Sequence, residues 1–273
     1  MSEGGRGAFV VSLLGGPWER RLAPRRAWVD RLPWGEALPT DALDARVLWT
    51  RTAFSEYAAA ASFGELVHRL LAAGAPIDLV AAAGDFVVDE VIHTELAARL
   101  ATKLGGAVAL EVDLRRLVRP ATTPDPLLAA AELAVRGSCV GEAMTVPILK
   151  LSRELAGSAL IAEALATIIA DEAPHAQLGW WFLDWADDRL TDEARAHLGR
   201  VAGEALAAFA PLLGGGGAAC AQSGLGVVAC DRFDAAFVAA ALRHVVSPLA
   251  ARGIVVPPAD LAAIAAAAGS PTA

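Results

Sequence analysis

The sequence predicts an all-α protein: a four-helix bundle with one long crossover in its middle, followed by additional C-terminal helices. Three observations predict it. Alanine dominates a chain that is 55% hydrophobic, with few β-branched runs and one tyrosine, a composition that favours helix over sheet. Four long apolar stretches follow one another as stretch, short turn, stretch, long connection, stretch, short turn, stretch. Two near-twin motifs, Asp89-Glu90-Val91-Ile92-His93 and Asp171-Glu172-Ala173-Pro174-His175, each set a carboxylate and an imidazole three residues apart. On a helix that spacing puts both side chains on one face.

A chain of 273 residues is long enough for one large domain with appendages. It divides into an irregular N-terminal arm (1–40), the bundle (41–190) and C-terminal helices packed on it (191–273), with no separate second domain. The arm holds Gly, Pro and Arg20, Arg21, Arg25, Arg26 and Arg31, with Trp18, Trp28 and Trp34. Its tryptophans are expected to pack on the body and its arginines to form a solvated face.

The first bundle helix is predicted over about 41–71, closed by a turn at Gly74, Pro76 and Asp78. The second covers about 79–104 and stops at Gly105-Gly106. Residues 107–125, with Pro120 and Pro124, read as an extended crossover. The third starts at Pro126, a good first-turn residue, and ends near Gly157. The fourth covers about 159–188. A fifth follows Thr191, a suitable N-cap, to about residue 213; a break at Gly214–Gly217 precedes two apolar helices over 231–250 and 260–268.

The net charge of −8 argues against a nucleic-acid partner, which needs a basic face. Cys139, Cys220 and Cys230 are odd in number, with no C-x-x-C pair. That fits a reducing compartment and provides neither a four-cysteine iron site nor a disulfide framework. The apolar run at 8–14 is too short for a signal peptide. The uncharged stretch 205–230 is broken by Pro211, four glycines, Gln222 and Ser223, which spoils it as a membrane span. The expectation is a soluble, cytoplasmic protein without a membrane partner.

Each motif is preceded by a lone glutamate in an apolar helical run, Glu56 and Glu142. In an antiparallel helix pair, residues equidistant from the turn share a level. Glu56 and Glu90 are centred on residue 73, and Glu142 and Glu172 on residue 157, each inside a predicted turn. Every carboxylate then lies about 16 residues from its turn, roughly 24 Å at helical rise, so four helices deliver side chains to one layer. Helical steps from Glu56 reach Trp49, Ala53, Ala60, Phe63, Val67 and Leu70; from Glu142 they reach Val135, Ser138, Cys139, Val146 and Leu149. An unpaired carboxylate on such a stripe is costly to bury, and a metal ion removes the difficulty. Two lone Glu with two Glu-x-x-His motifs is the ligand set of two-metal carboxylate bundles. The candidate ligands are therefore Glu56, Glu90, His93, Glu142, Glu172 and His175.

Asp89 and Asp171 occupy the same place in both motifs. Each either orients the imidazole of the opposite motif, as carboxylates commonly do for metal-bound histidines, or forms salt bridges at the bundle surface. Pro174 should bend the fourth helix or leave a bulge at the site, and Pro147 likewise. Glu65-Leu66-Val67-His68 is a third Glu-x-x-His, but it lacks the Asp and is off centre from the turn; Glu65 and His68 are expected to form a surface pair. Tyr57 and the cluster Trp180, Trp181 and Trp185 read as packing surface.

On these six positions, residues 45–188 resemble the ferritin-like superfamily, and the chain looks like a stand-alone bacterial ferritin-like protein. The resemblance implies two iron ions, or manganese in their place, and activation of dioxygen or peroxide. Ile168 stands where the p-aminobenzoate N-oxygenase type carries a further histidine. Storage ferritins lack such long terminal appendages, and the cysteine-rich site usual in rubrerythrins has no counterpart here. The expected function is a non-haem di-iron oxidoreductase that uses O2 on a small molecule, with an external electron donor and homo-oligomers compatible with it. Iron handling without an organic substrate, or a metal-binding scaffold, are the alternatives.

Overall fold

The computed structural model describes residues 7–213, 224–226 and 231–269, with the side chains of Trp18 and Asp231 excepted. Cys220, Cys230 and the predicted break at Gly214–Gly217 lie outside the described residues. Helices dominate: α1 (Pro17–Arg31), α2 (Leu43–Ala72), α3 (Ile77–Lys103), α4 (Pro126–Ala134), α5 (Ala143–Glu154), α6 (Ala159–Ala186), α7 (Asp192–Ala207), α8 (Asp231–Ala240), α9 (Ser247–Ala250) and α10 (Pro258–Ala267). A π-helical segment, Val135–Glu142, joins α4 to α5, and another, Ala241–Val246, joins α8 to α9. The protein is all-α, apart from a two-residue antiparallel pairing of β1 (Gly7–Ala8) with β2 (Glu111–Val112).

Local chemistry sets the boundaries. Asp125 caps α4 by accepting from the Leu128 N–H at 2.8 Å, with Pro126 as the first helical residue. Ser158 caps α6 through the Ile161 N–H, and Thr191 caps α7 through the Ala194 N–H, satisfying amides that no helical carbonyl reaches. Gly105 ends the second long helix with φ 110°, and a Cβ there would collide with the Thr40 carbonyl. Only glycine fits. α7 stops at Ala207, short of the expected end, and a 3-10 turn (Ala210–Leu212) built around Pro211 follows.

α2 packs along α3, and α6 packs along both the π-helical segment and α5. Two interior clusters result. One joins Phe63, Leu66, Phe86, Met144, Leu178 and Phe182 with the C-terminal helices. The other joins Trp49, Leu96, Leu100, Leu160, Leu165 and Ile168 with Val29 and Leu32 of the N-terminal segment. One helical stretch among the described residues, Arg232–Ala250, is long and apolar enough to cross a membrane by length and composition. Its Phe237, Val245 and Leu249 are buried in the first cluster.

Three expectations need correction. The 1–40 arm is not irregular: it contains α1, opened by Pro17 and carrying Glu19 in its first turn. Val29 and Leu32 are buried, and Arg25, Arg26 and Asp30 are ion-paired to α3, so contacts distant in sequence hold this helix together. Second, α6 runs through Pro174 without a bulge; the widened turn is on the third bundle helix instead, ahead of Pro147 as expected there, at Val135–Glu142. Gly137 and Gly141, both poor helix formers, sit inside that segment. Third, Glu65 pairs with Arg69 at 2.7 Å rather than with His68.

Candidate metal centre

The six candidate ligands come from four helical segments. Glu56 is on α2, Glu90 and His93 on α3, Glu142 at the end of the π-helical segment, and Glu172 and His175 on α6. Glu90, His93, Glu172 and His175 are buried, and Glu56 and Glu142 are intermediate. The structure brings all six together. Among the described residues, Glu56, Glu90, His93 and Glu172 form one group, and Glu90, Glu142, Glu172 and His175 another. Within each group, one N or O atom from every residue lies within 4.8 Å of the others. Glu90 and Glu172 belong to both.

Both imidazoles turn Nδ1 inward. His175 Nδ1 is 2.9 Å from Glu90 Oε1 and 3.0 Å from Glu172 Oε2. His93 Nδ1 is 3.4 Å from Glu172 Oε1 and 3.6 Å from Glu90 Oε2. The ring centroids are 6.2 Å apart. Each Nε2 faces the aspartate of the opposite motif: His93 to Asp171 at 3.1 Å, and His175 to Asp89 at 3.5 Å.

Several inward atoms are buried without an acceptable hydrogen bond: both oxygens of Glu90, Glu172 Oε1 and His93 Nδ1. Orphaned buried acceptors cost far more than satisfied ones. Concentrated on one point, they match what cations bound between them would satisfy. Carboxylate oxygens with imidazole nitrogens suit iron or manganese, and zinc less distinctively. The residues present therefore fit a pair of divalent ions.

The titration behaviour follows from the same crowding. Burial, reinforced by the charges of Glu90 and Glu172, pushes Glu56 and Glu142 well above the usual carboxylate range. Burial also acts to raise Glu172, but the hydrogen bond from His175 and the proximity of His93 outweigh it and hold this carboxyl below that range. For His175, burial favours the neutral ring, yet the facing carboxylates of Asp89, Glu172 and Glu90 prevail and push it up to about 12. His93 is likewise raised well above its ordinary value, against its burial, by Asp171, Glu172 and Glu90. The carboxylates thus favour the protonated form of both imidazoles in the absence of other cations.

Neighbours that local spacing did not indicate complete the site. Arg25 donates to Asp89 at 2.6 Å and also pairs with Asp85, so the arginine expected on a solvated face supports a motif aspartate. Arg26 pairs with Glu19 at 2.8 Å. Phe63 and Phe86 enclose the His175 ring, at centroid distances of 5.3 and 4.2 Å. Gly179 lets α6 approach the π-helical segment, where a Cβ would strike Cys139, Ser138 and the Ala134 carbonyl. A cavity of about 180 Å³ reaches Glu142 past Phe63, Leu66 and Leu133. Tyr57 is partly exposed and packs edge-on to Phe9, and Trp181 is exposed while Trp180 and Trp185 pack against the core.

Comparison with protein-family models, curated proteins and solved structures finds no match for this chain.

Proposed function

We propose that the chain is a ferritin-like dimetal-carboxylate protein and acts as a non-haem oxidoreductase, using O2 on a small organic molecule. The observation that carries this reading is the pair of overlapping ligand groups sharing Glu90 and Glu172. Glu56 with His93 would serve one ion and Glu142 with His175 the other, and the two shared carboxylates would lie between them. Iron is the favoured metal and manganese the alternative. A redox-active pair at this position supplies electrons for the reduction of dioxygen.

The chain's own residues set the conditions for that chemistry. Asp171 hydrogen-bonds the outward nitrogen of His93, and Asp89 lies 3.5 Å from that of His175, so both aspartates favour rings with Nδ1 aimed inward. Glu56 and Glu142 each stand in one ligand group while Glu90 and Glu172 stand in both, so they would be the carboxylates freer to shift as charge changes. Phe63 and Phe86 exclude water from the His175 side. The cavity ending at Glu142 favours an organic substrate over iron storage, which needs no pocket of this shape.

The test is anaerobic titration with Fe(II), followed by a measured addition of O2. The expected result is two irons per chain, O2 consumption tied to that iron, and a change in absorbance on oxidation. Many irons per chain would favour iron handling instead. No metal uptake would overturn the reading altogether.

A further inference from the structure

The cavity beside Glu142 is built to select its occupant. Phe63, Leu66, Val118 and Leu133 make its walls mostly apolar, and Arg119, Arg136, Ser138 and Glu142 are its main polar lining. At about 180 Å³, it is slightly larger than the roughly 150 Å³ apolar cavity that accommodates benzene in an engineered protein. One ring or a short chain with one small polar group fits such a space.

The two arginines are not used up by the fold. Arg136 is mostly buried, and its Nε has no hydrogen-bond partner. One Nη donates to the Arg119 carbonyl at a long 3.2 Å, while the other is 3.8 Å from Glu132. Glu132 is already engaged by the Thr122 amide, the Thr122 hydroxyl and His197. A guanidinium has five N–H donors, so Arg136 retains capacity for an acceptor. Arg119 is half exposed and pairs with Glu204 at the surface; it marks the mouth. Ser138 is 1% exposed, and its hydroxyl has no partner. Arg136 and Glu142 both line the cavity and stand six residues apart on the π-helical segment.

We propose that this cavity binds a small organic acid, with its carboxylate on Arg136 and Arg119, its apolar body between Phe63, Leu66, Val118 and Leu133, and its far end at Ser138 and Glu142. This names the substrate class for the oxidoreductase reading and rests on that reading for the acid's fate, while its binding rests on the cavity alone. Paired guanidiniums favour a carboxylate because the charge-assisted bonds are geometrically matched and about twice as strong as neutral ones.

The experiment uses the full chain, metal-free and zinc-loaded, in calorimetric titrations with benzoate, phenylacetate and hexanoate, and with their uncharged amides. At least one acid is expected to bind once per chain, about tenfold or more tighter than its amide. Arg136→Gln should weaken acid binding by a similar factor without changing the zinc count. If that variant fails to fold, Arg119→Gln, expected to weaken binding by about threefold, and Leu133→Trp, which fills the cavity and removes binding, decide the matter. Equal binding of acids and amides, no binding of any acid, or acid affinity untouched by the variants that fold would overturn the proposal. Acid binding by a chain that takes up no metal would support the pocket while sinking the metal centre. Two zinc ions without acid binding would do the reverse.

Discussion

Arg25 Nη2 lies 2.6 Å from Asp89 Oδ1, and the second oxygen of Asp89 faces His175 Nε2. An N-terminal helix thereby reaches the candidate centre through one carboxylate. Removing that carboxylate's charge should loosen the ring: Asp89→Asn is expected to lose roughly 10–100-fold in metal affinity. Arg25→Gln, one step further out and partly solvated, should lose less than about tenfold and change stability by no more than about 1 kcal/mol. Competition against a calibrated chelator measures both. Equal affinities in Asp89→Asn and the parent chain would remove Asp89 from any supporting role.

Glu90 and Glu172 stand in both ligand groups, and Glu56 and Glu142 in one each. Glu56→Gln and Glu142→Gln are therefore expected to lower the stoichiometry from two ions per chain to one. Glu90→Gln and Glu172→Gln should abolish tight binding at both positions. Metal content after gel filtration reads the outcome. A protein that keeps two ions without Glu90 would contradict the shared-carboxylate arrangement.

Metal binding should release protons. Against their burial, carboxylate partners raise His93 and His175, and burial with neighbouring charge raises Glu56 and Glu142, so all four hold protons more tightly in the metal-free protein than the free side chains do. Ligands must be deprotonated to bind, so about two to four protons leave per chain, and affinity falls as the pH is lowered. Calorimetry in two buffers of different ionisation enthalpy checks this. Heats that do not depend on the buffer would contradict it.

Gly179 and Gly64 make a matched pair of tests. Gly179→Ala places a methyl group against Cys139, Ser138 and the Ala134 carbonyl, two of them atoms of the segment that carries Glu142. It should destabilise the fold by about 1–3 kcal/mol. Gly64→Ala, in α2 with open space around it, should stabilise by about 0.5–1 kcal/mol. Urea denaturation distinguishes the two signs.

The parts of this molecule that are legible in its sequence are those governed by local rules. The helices flanking the turns at Gly74 and Gly157 begin and end within a few residues of where capping and turn chemistry place them. Equal spacing about those turns puts Glu56, Glu90, Glu142 and Glu172 at one level, and these four fall in the two groups that also hold His93 and His175. Other features depend on what lies across the fold. Arg25 and Asp89 are 64 residues apart, so a run of arginines read as a solvated surface. Without that pairing, and without the burial of Val29 and Leu32, nothing in the arm's composition indicates α1. The π-helical segment is similarly hidden: Pro174 and Pro147 drew attention, yet the wide turn falls on Gly137 and Gly141, where α6 presses closest through Gly179. Cavities escape sequence patterns too, because the walls of this one come from α2, the crossover, α4 and the π-helical segment.

Glu90 hangs from the first helical pair and Glu172 from the second, and each belongs to both ligand groups. An ion at either position would thus clasp two helix pairs that are connected along the chain by the long strap at 104–125 and packed together through both interior clusters. Separating the pairs would then require opening the clasp as well as the clusters. Chelation should therefore act as a mechanical release as well as a chemical one, and the pairs should begin to separate in the layer where the carboxylates meet.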